Sequence, residues 1–180
     1  MINNYQACSA HGNKHMNKLL ILPVALACTG AIASTNTPII GSVESKCVIQ
    51  TDTDGVYGNP TADNLSTYTA DGGVEPVIRY DIVTANAYKA VISYPNSFSS
   101  SPPLTDSVTW TGGVSLTQSS DSTMSAFETN KVTYNNSVEF DLTVAGSAWF
   151  SVVSEADYGY DKAFPAGTYS AMVTAECIAQ

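Results

Sequence analysis

Several side chains in this sequence stand where they could do chemistry. Carboxylates occur in close pairs, Glu139 with Asp141 and Asp157 with Asp161. Two acids a few ångström apart are the minimum for glycoside hydrolysis. Glu139 and Asp141, however, alternate with Phe140 and Leu142, which puts them on the solvent face of a strand. A domain this small also leaves little room for a deep glycan cleft. Asp52-x-Asp54-Gly55 brings oxygen ligands to a tight glycine turn, as part of a calcium loop does. The third acid and the closing glutamate of an EF-hand are missing, and the same residues more often make a plain turn. Tyr158 and Tyr160 flank Gly159 at a loop tip, where their rings either stack on a sugar or pack within the loop. This set assigns no catalytic residue and no cofactor, and the chain is not expected to be an enzyme.

Histidine chemistry is absent from the expected mature chain. From Met16 the sequence reads Asn17-Lys18, an apolar run from Leu19 to Cys28, then Ala31-Ile32-Ala33 before Ser34. That is a positive region, an apolar core and an A-x-A site, the pattern of a secretory signal peptide over residues 1–33. Residues 1–15 are polar, so Met16 is an alternative start. Ala27-Cys28 offers a competing lipoprotein cleavage, although Leu26 at −2 and Ala25 at −3 fit it less well than Ala33 fits the ordinary cut. The apolar run is shorter than the roughly 18 residues of a spanning helix, and nothing after it is apolar enough to span. Cleavage after Ala33 removes His11 and His15, both histidines of the chain. Ser-His-Asp and Cys-His nucleophiles, and the usual zinc and copper ligand sets, go with them.

All 16 acidic residues lie after the cut, against Lys46, Arg79, Lys89, Lys131 and Lys162. So acidic a surface repels phosphates, which argues against nucleic acid or an anionic membrane as partner. Residues 34–180 suffice for one domain and are too few for two ordinary ones. The same cut leaves two cysteines, Cys47 and Cys177, and an even count in an oxidising compartment reads as a disulfide. It would close a loop of about 130 residues, worth roughly 4 to 5 kcal/mol by chain entropy.

The elements that must carry these residues read as strands. Ile39, Gly41, Val43, Ser45, Cys47 and Ile49 alternate with more polar neighbours as a first strand, and Thr51 to Asn64 is rich in turn formers. Ile78, Tyr80 and Ile82, then Tyr88, Ala90 and Ile92, form two strands that could pair as a hairpin. Pro95-Asn96-Ser97 supplies a turn, Ser99 to Pro103 reads as a surface loop, and Thr111-Gly112-Gly113-Val114 as a hairpin turn. Trp110 and Trp149 lie on strands and are expected in the core. Ser119 to Asn130 reads as a crossing loop, although the spacing of Met124 and Phe127 permits one helical turn. Val132 to Tyr134, Val138 to Val144 and Ala148 to Val153 continue the pattern. Tyr169, Ala171, Val173, Ala175 and Cys177 share one face of a closing strand. About eight short strands with regular turn signals predict an all-β fold, an Ig-like antiparallel β-sandwich over residues 47–180, with a small jelly roll as the alternative.

Residues 34–46 precede that domain. Ile39-Ile40-Gly41-Ser42-Val43 has the alternation that strand addition to another subunit requires, and equally that of an ordinary first strand. This segment with its glycine, Cys47 about a dozen residues into the mature chain, and the final Gly167-x-Tyr169-x-x-x-Val173 together resemble secreted bacterial pilin subunits of the chaperone-usher kind, including the spore coat protein U-like group. The resemblance implies an incomplete Ig-like fold completed by the N-terminal strand of the next subunit, with Ile39, Gly41 and Val43 as donor positions. It implies a fibre of identical copies, a role in cell adhesion, export through the periplasm, and a periplasmic chaperone and outer-membrane usher as partners. That family's disulfide joins two cysteines near the first strands, whereas here the second cysteine is in the last. A different class of function stays open: a monomeric cell-surface module that binds carbohydrate or calcium.

Overall fold

Residues that alternate in the sequence alternate in burial in the folded chain. The computed structural model describes Ile40 and residues 46–180. The expected signal peptide, its cleavage sites, and donor positions Ile39, Gly41 and Val43 lie outside the described residues. So does the rest of the 34–46 arm apart from Ile40 and Lys46.

The chain is all-β, with twelve strands among the described residues and one short helix. The larger sheet contains β1 (Cys47–Thr53), β2 (Gly58–Thr61), β3 (Asn64–Ser66), β4 (Val77–Ile82), β7 (Thr109–Ser119) and β10 (Gly146–Asp157). The second contains β5 (Tyr88–Ser93), β8 (Val132–Tyr134), β9 (Ser137–Asp141) and β12 (Thr174–Ala179). A two-stranded ladder joins β6 (Phe98–Ser100) to β11 (Ser170–Ala171). Every pairing is antiparallel. The first sheet runs β1-β4-β10-β3-β2, with β7 along the other side of β10, and the second runs β12-β5-β9-β8.

Strand β4 shows how the sequence dictates the layers. Ile78, Tyr80 and Ile82 are buried, while Arg79 and Asp81 point outward, because successive side chains of a strand face opposite ways. Ala90 and Ile92 of β5, Val138 and Phe140 of β9, and Ala148, Phe150 and Val152 of β10 join them in a single cluster drawn from both sheets. Phe140 and Phe150 meet with ring centroids 4.5 Å apart, and Tyr80 meets Phe150 edge-on at 5.5 Å. The Tyr80 hydroxyl donates to the Glu176 carbonyl at 3.3 Å, tying the first sheet to the edge of the second.

Six expectations are corrected by this arrangement. β4 and β5 do not form a hairpin: they belong to different sheets, joined by residues 83–87 with Asn86 at φ 58°. Gly112 and Gly113 are not a turn but lie within β7. A Cβ on Gly112 would sit 2.6 Å from both the Tyr94 ring and the Val153 carbonyl, so the glycine marks close packing in a strand. Trp110 and Trp149 are not core residues but half-buried. Trp149 lies on the outer face opposite Arg79, whose guanidinium is 5.9 Å from the ring centroid. Residues 122–130 are helical rather than a crossing loop: a 3-10 turn (Ser122–Ser125) leads into α1 (Ala126–Asn130), and Met124 and Phe127 are buried. Finally, the segment between Thr51 and Asn64 is not all loop, because β1 runs through Asp52 to Thr53 and β2 follows. β6 likewise occupies part of the Ser/Pro run expected to be loop.

On the outer face, Asp81 accepts from the Ser147 hydroxyl at 2.6 Å and pairs with Arg79 at 2.9 Å. The Ser147 hydrogen bond, aided by the Arg79 guanidinium, holds the Asp81 carboxyl below the usual carboxylate range. A lowered folded pKa contributes stability above the unfolded value of about 3.9, lost as pH falls through the folded value. Asp81→Asn is therefore expected to cost about 1 kcal/mol at neutral pH in urea unfolding, a cost that fades below about pH 4. A cost that did not change with pH would show that the charge is not what stabilises.

Candidate subunit-binding groove

The site is built where the two sheets end. β1 is an edge of the first sheet and β12 an edge of the second, and neither has a further strand partner among the described residues. Cys47 and Cys177 face each other across this gap and form the expected disulfide, with their Cα atoms 6.3 Å apart. Beyond that tie the two edges part. β12 accompanies β5 only from Thr174, opposite Ser93. Upstream the chain has left that sheet, and Ser170 and Ala171 pair with β6 instead. On the other side β1 continues to Thr53. Between them lies a groove of about 540 Å³, within the range of about 300–1,000 Å³ usual for binding clefts.

The floor is the end of the apolar core. Ile78 from β4 and Leu65 from β3 reach it, with Thr51 and Thr53 along one wall and Ala171 and Val173 along the other. Tyr57 and Tyr169 add aromatic surface. The Tyr57 hydroxyl hydrogen-bonds the Ser154 hydroxyl at 3.0 Å, and burial pushes its pKa up, so it stays neutral. The Tyr169 hydroxyl donates to the Pro165 carbonyl at 2.7 Å. Both rings lean on Phe98, at 6.5 and 5.1 Å, and Phe98 also meets Trp110 at 4.7 Å and Phe164 at 6.0 Å. This aromatic cluster props the wall from behind. The loop after β1 is held by reciprocal backbone hydrogen bonds between Val56 and Val74 at 2.9 and 2.8 Å. At the rim Met172 is 69% exposed and Val56 54%, leaving apolar surface beside an apolar floor.

One contact orients the chain before β1. The Val83 N–H donates to the Lys46 carbonyl at 3.0 Å, so the pairing of β1 with β4 extends one residue upstream of Cys47. Lys46 and Cys47 therefore begin β1 at the end opposite the groove, whose wall is made by Thr51 and Thr53.

The other sequence candidates are scattered. Asp52 and Asp54 are exposed, the first within β1 and the second on the groove rim, and among the described residues no group of three metal-ligating side chains comes together. Glu139 and Asp141 both face the Lys89 ammonium, at 2.8 and 4.0 Å, on the outer side of the second sheet. The Glu139 hydrogen bond raises the Lys89 pKa. The Asp157 carboxylate accepts from the Gly159 N–H at 2.6 Å, and Asp161 is exposed at φ 58°. Tyr158 and Tyr160 separate: Tyr160 is 89% exposed, while Tyr158 is buried. The Tyr158 ring stacks on Phe164 at 5.1 Å and its hydroxyl accepts from the Thr105 N–H at 3.0 Å, so it is not available to a sugar.

Sequence reasoning did not single out Leu65, Tyr57 or Tyr169 as site residues. Their only signal was apolar character in or next to short strands. Among the described residues no helix is long and apolar enough to cross a membrane. No family model matches the chain, and neither a curated protein nor a solved structure matches it.

Proposed function

We propose that the protein is a secreted structural subunit of a surface fibre or extracellular matrix. Copies assemble by strand exchange: residues 34–46 of one lie in the groove between β1 and the closing segment of the next. The observation that supports this reading is the open apolar groove between the free edge of β1 and the closing segment 169–173, at the end of β1 opposite Cys47. An entering strand would find backbone partners on a free edge and pockets for alternate side chains, the two ingredients of strand addition. Ile39, Gly41 and Val43 have the required alternation. In this reading the domain is an Ig-like sandwich whose last position is filled by a neighbour, and the Cys47–Cys177 bond fixes where the arm begins. A periplasmic chaperone that shields the groove before assembly and an outer-membrane usher are the partners it calls for.

Deleting Ser34 to Lys46 is expected to leave a folded domain that no longer polymerises. A synthetic peptide of residues 34–46 should then raise the melting temperature of the deleted domain in a concentration-dependent way, as any ligand of the native state does. A deleted domain that assembles as before overturns strand exchange. Deleted domain that ignores the peptide while responding to glycans or calcium would favour a monomeric binding module.

A further inference from the structure

The first sheet has a second long edge, and its treatment differs from that of β1. β7 is 11 residues long, contains no charged residue and no proline, and borders only β10 among the described residues. A long, uncharged strand edge is a template for pairing with another copy. The centre of this one is occupied. Glu128 Oε2 accepts from the Leu116 N–H at 2.9 Å, and Lys131 Nζ donates to the Val114 carbonyl at 2.9 Å. Glu128 and Lys131 also pair with each other, so neither charge is left uncompensated. An acceptor and a donor thus stand where the carbonyl and N–H of an added strand would be. They are delivered by the helical segment 122–130 and its C-cap residue Lys131, pinned to the core through Met124 and Phe127.

We propose that the Glu128–Lys131 pair is an edge guard that keeps a second copy of this chain from adding its own β7 to β7. Because hydrogen-bonding residues along one edge recur every second position, blocking Val114 and Leu116 interrupts the middle of any continuous ladder along β7. Self-pairing would be antiparallel, the two strands related by a two-fold axis, and would bring the middles of both copies together. The inference does not rest on the arm: it concerns the opposite side of β10.

The test places a thiol at Ser115, an exposed residue between the two guarded positions. Ser115→Cys alone, and Ser115→Cys with Glu128→Ala and Lys131→Ala, are treated in the mature chain with a short bismaleimide linker at equal concentration. The product counted is the dimer that requires Cys at position 115, which arm-mediated contacts do not generate. It is expected to rise several-fold when the guard is removed, and to stay at the guarded level with Glu128→Gln and Lys131→Arg, which keep an acceptor and a donor. Equal dimer yield with and without the guard, whether high or low, overturns the proposal. Circular dichroism verifies that each variant is folded; if the double alanine variant is not, Glu128→Ala alone frees the Leu116 N–H and serves as the same test.

Discussion

Breaking the Cys47–Cys177 bond is expected to cost about 4 to 5 kcal/mol by the chain-entropy account, with measured losses for native disulfides running at about 2–5 kcal/mol. The bond spans 130 residues of sequence and so constrains nearly the whole unfolded domain. In the folded state it is also a covalent tie between β1 and β12, edge strands of the two sheets. Cys47→Ala, Cys177→Ala and the double variant should lose the same amount, because each removes the same bond. For a domain of this length the melting temperature should fall by roughly 10 °C or more. Reductant should lower the native protein to the level of the variants and leave the variants unmoved. Urea unfolding with and without reductant measures both. A native protein insensitive to reduction, or single variants that differ from the double, would contradict the claim that this bond holds the edges together.

Phe150→Ala is expected to cost about 3–5 kcal/mol, the range for deleting a fully buried aromatic ring. Phe150 has no exposed surface. It stands in β10, the strand that pairs with β3, β4 and β7, and its ring touches Phe140 of the opposite sheet and Tyr80 of its own. Neighbours held in ladders on both sides cannot collapse into the space, so the cavity persists and its cost adds to the lost transfer energy. Phe150→Leu refills most of the volume and should cost about half as much or less. In urea the midpoint should drop with the slope unchanged, since the surface exposed on unfolding is nearly the same. A loss below about 1 kcal/mol would mean that the two sheets do not share one packed core at this point.

The two longer edges of the larger sheet, β1 and β7, are treated differently. β1 opens onto an apolar groove, while β7, the longer and more dangerous edge, has its middle hydrogen bonds filled by Glu128 and Lys131. If both edges accepted strands, copies would branch or clump. On the proposed strand exchange, one open and one guarded edge would give a linear fibre.

What was legible in the sequence is what burial on one face imposes. Ile78, Tyr80 and Ile82, or Val138 and Phe140, alternate because one side of each strand meets the core, and period 2 records that directly. The closing face from Tyr169 to Cys177 is half-buried at every second residue, as its alternation predicted. The disulfide was legible because the expected cleavage left only two cysteines. Pairing was not. Alternation in β4 and β5 is the same whether they pair with each other or cross between sheets, and only the tertiary fold decides. Gly112 and Gly113 have the composition of a turn, but the reason for Gly112 is the Tyr94 ring and the Val153 carbonyl, residues distant in the chain. Trp149 faces out, as its alternation with buried Ala148 and Phe150 dictates, and Arg79 across the strand pair covers it; its size, not its position, suggested the core. The groove was hidden for the same reason: its floor and walls come from β1, β3, β4 and the segment around Tyr169, and no local pattern signals that they meet.

The measurement that bears most directly on strand exchange is the mass distribution of the mature chain by light scattering, with and without residues 34–46. Concentration-dependent oligomers of the intact mature chain, a folded monomer after deletion, and capture of the 34–46 peptide by that monomer are the predicted results. Oligomers that persist in the deleted domain, or an intact mature chain that stays monomeric at every concentration, would contradict it.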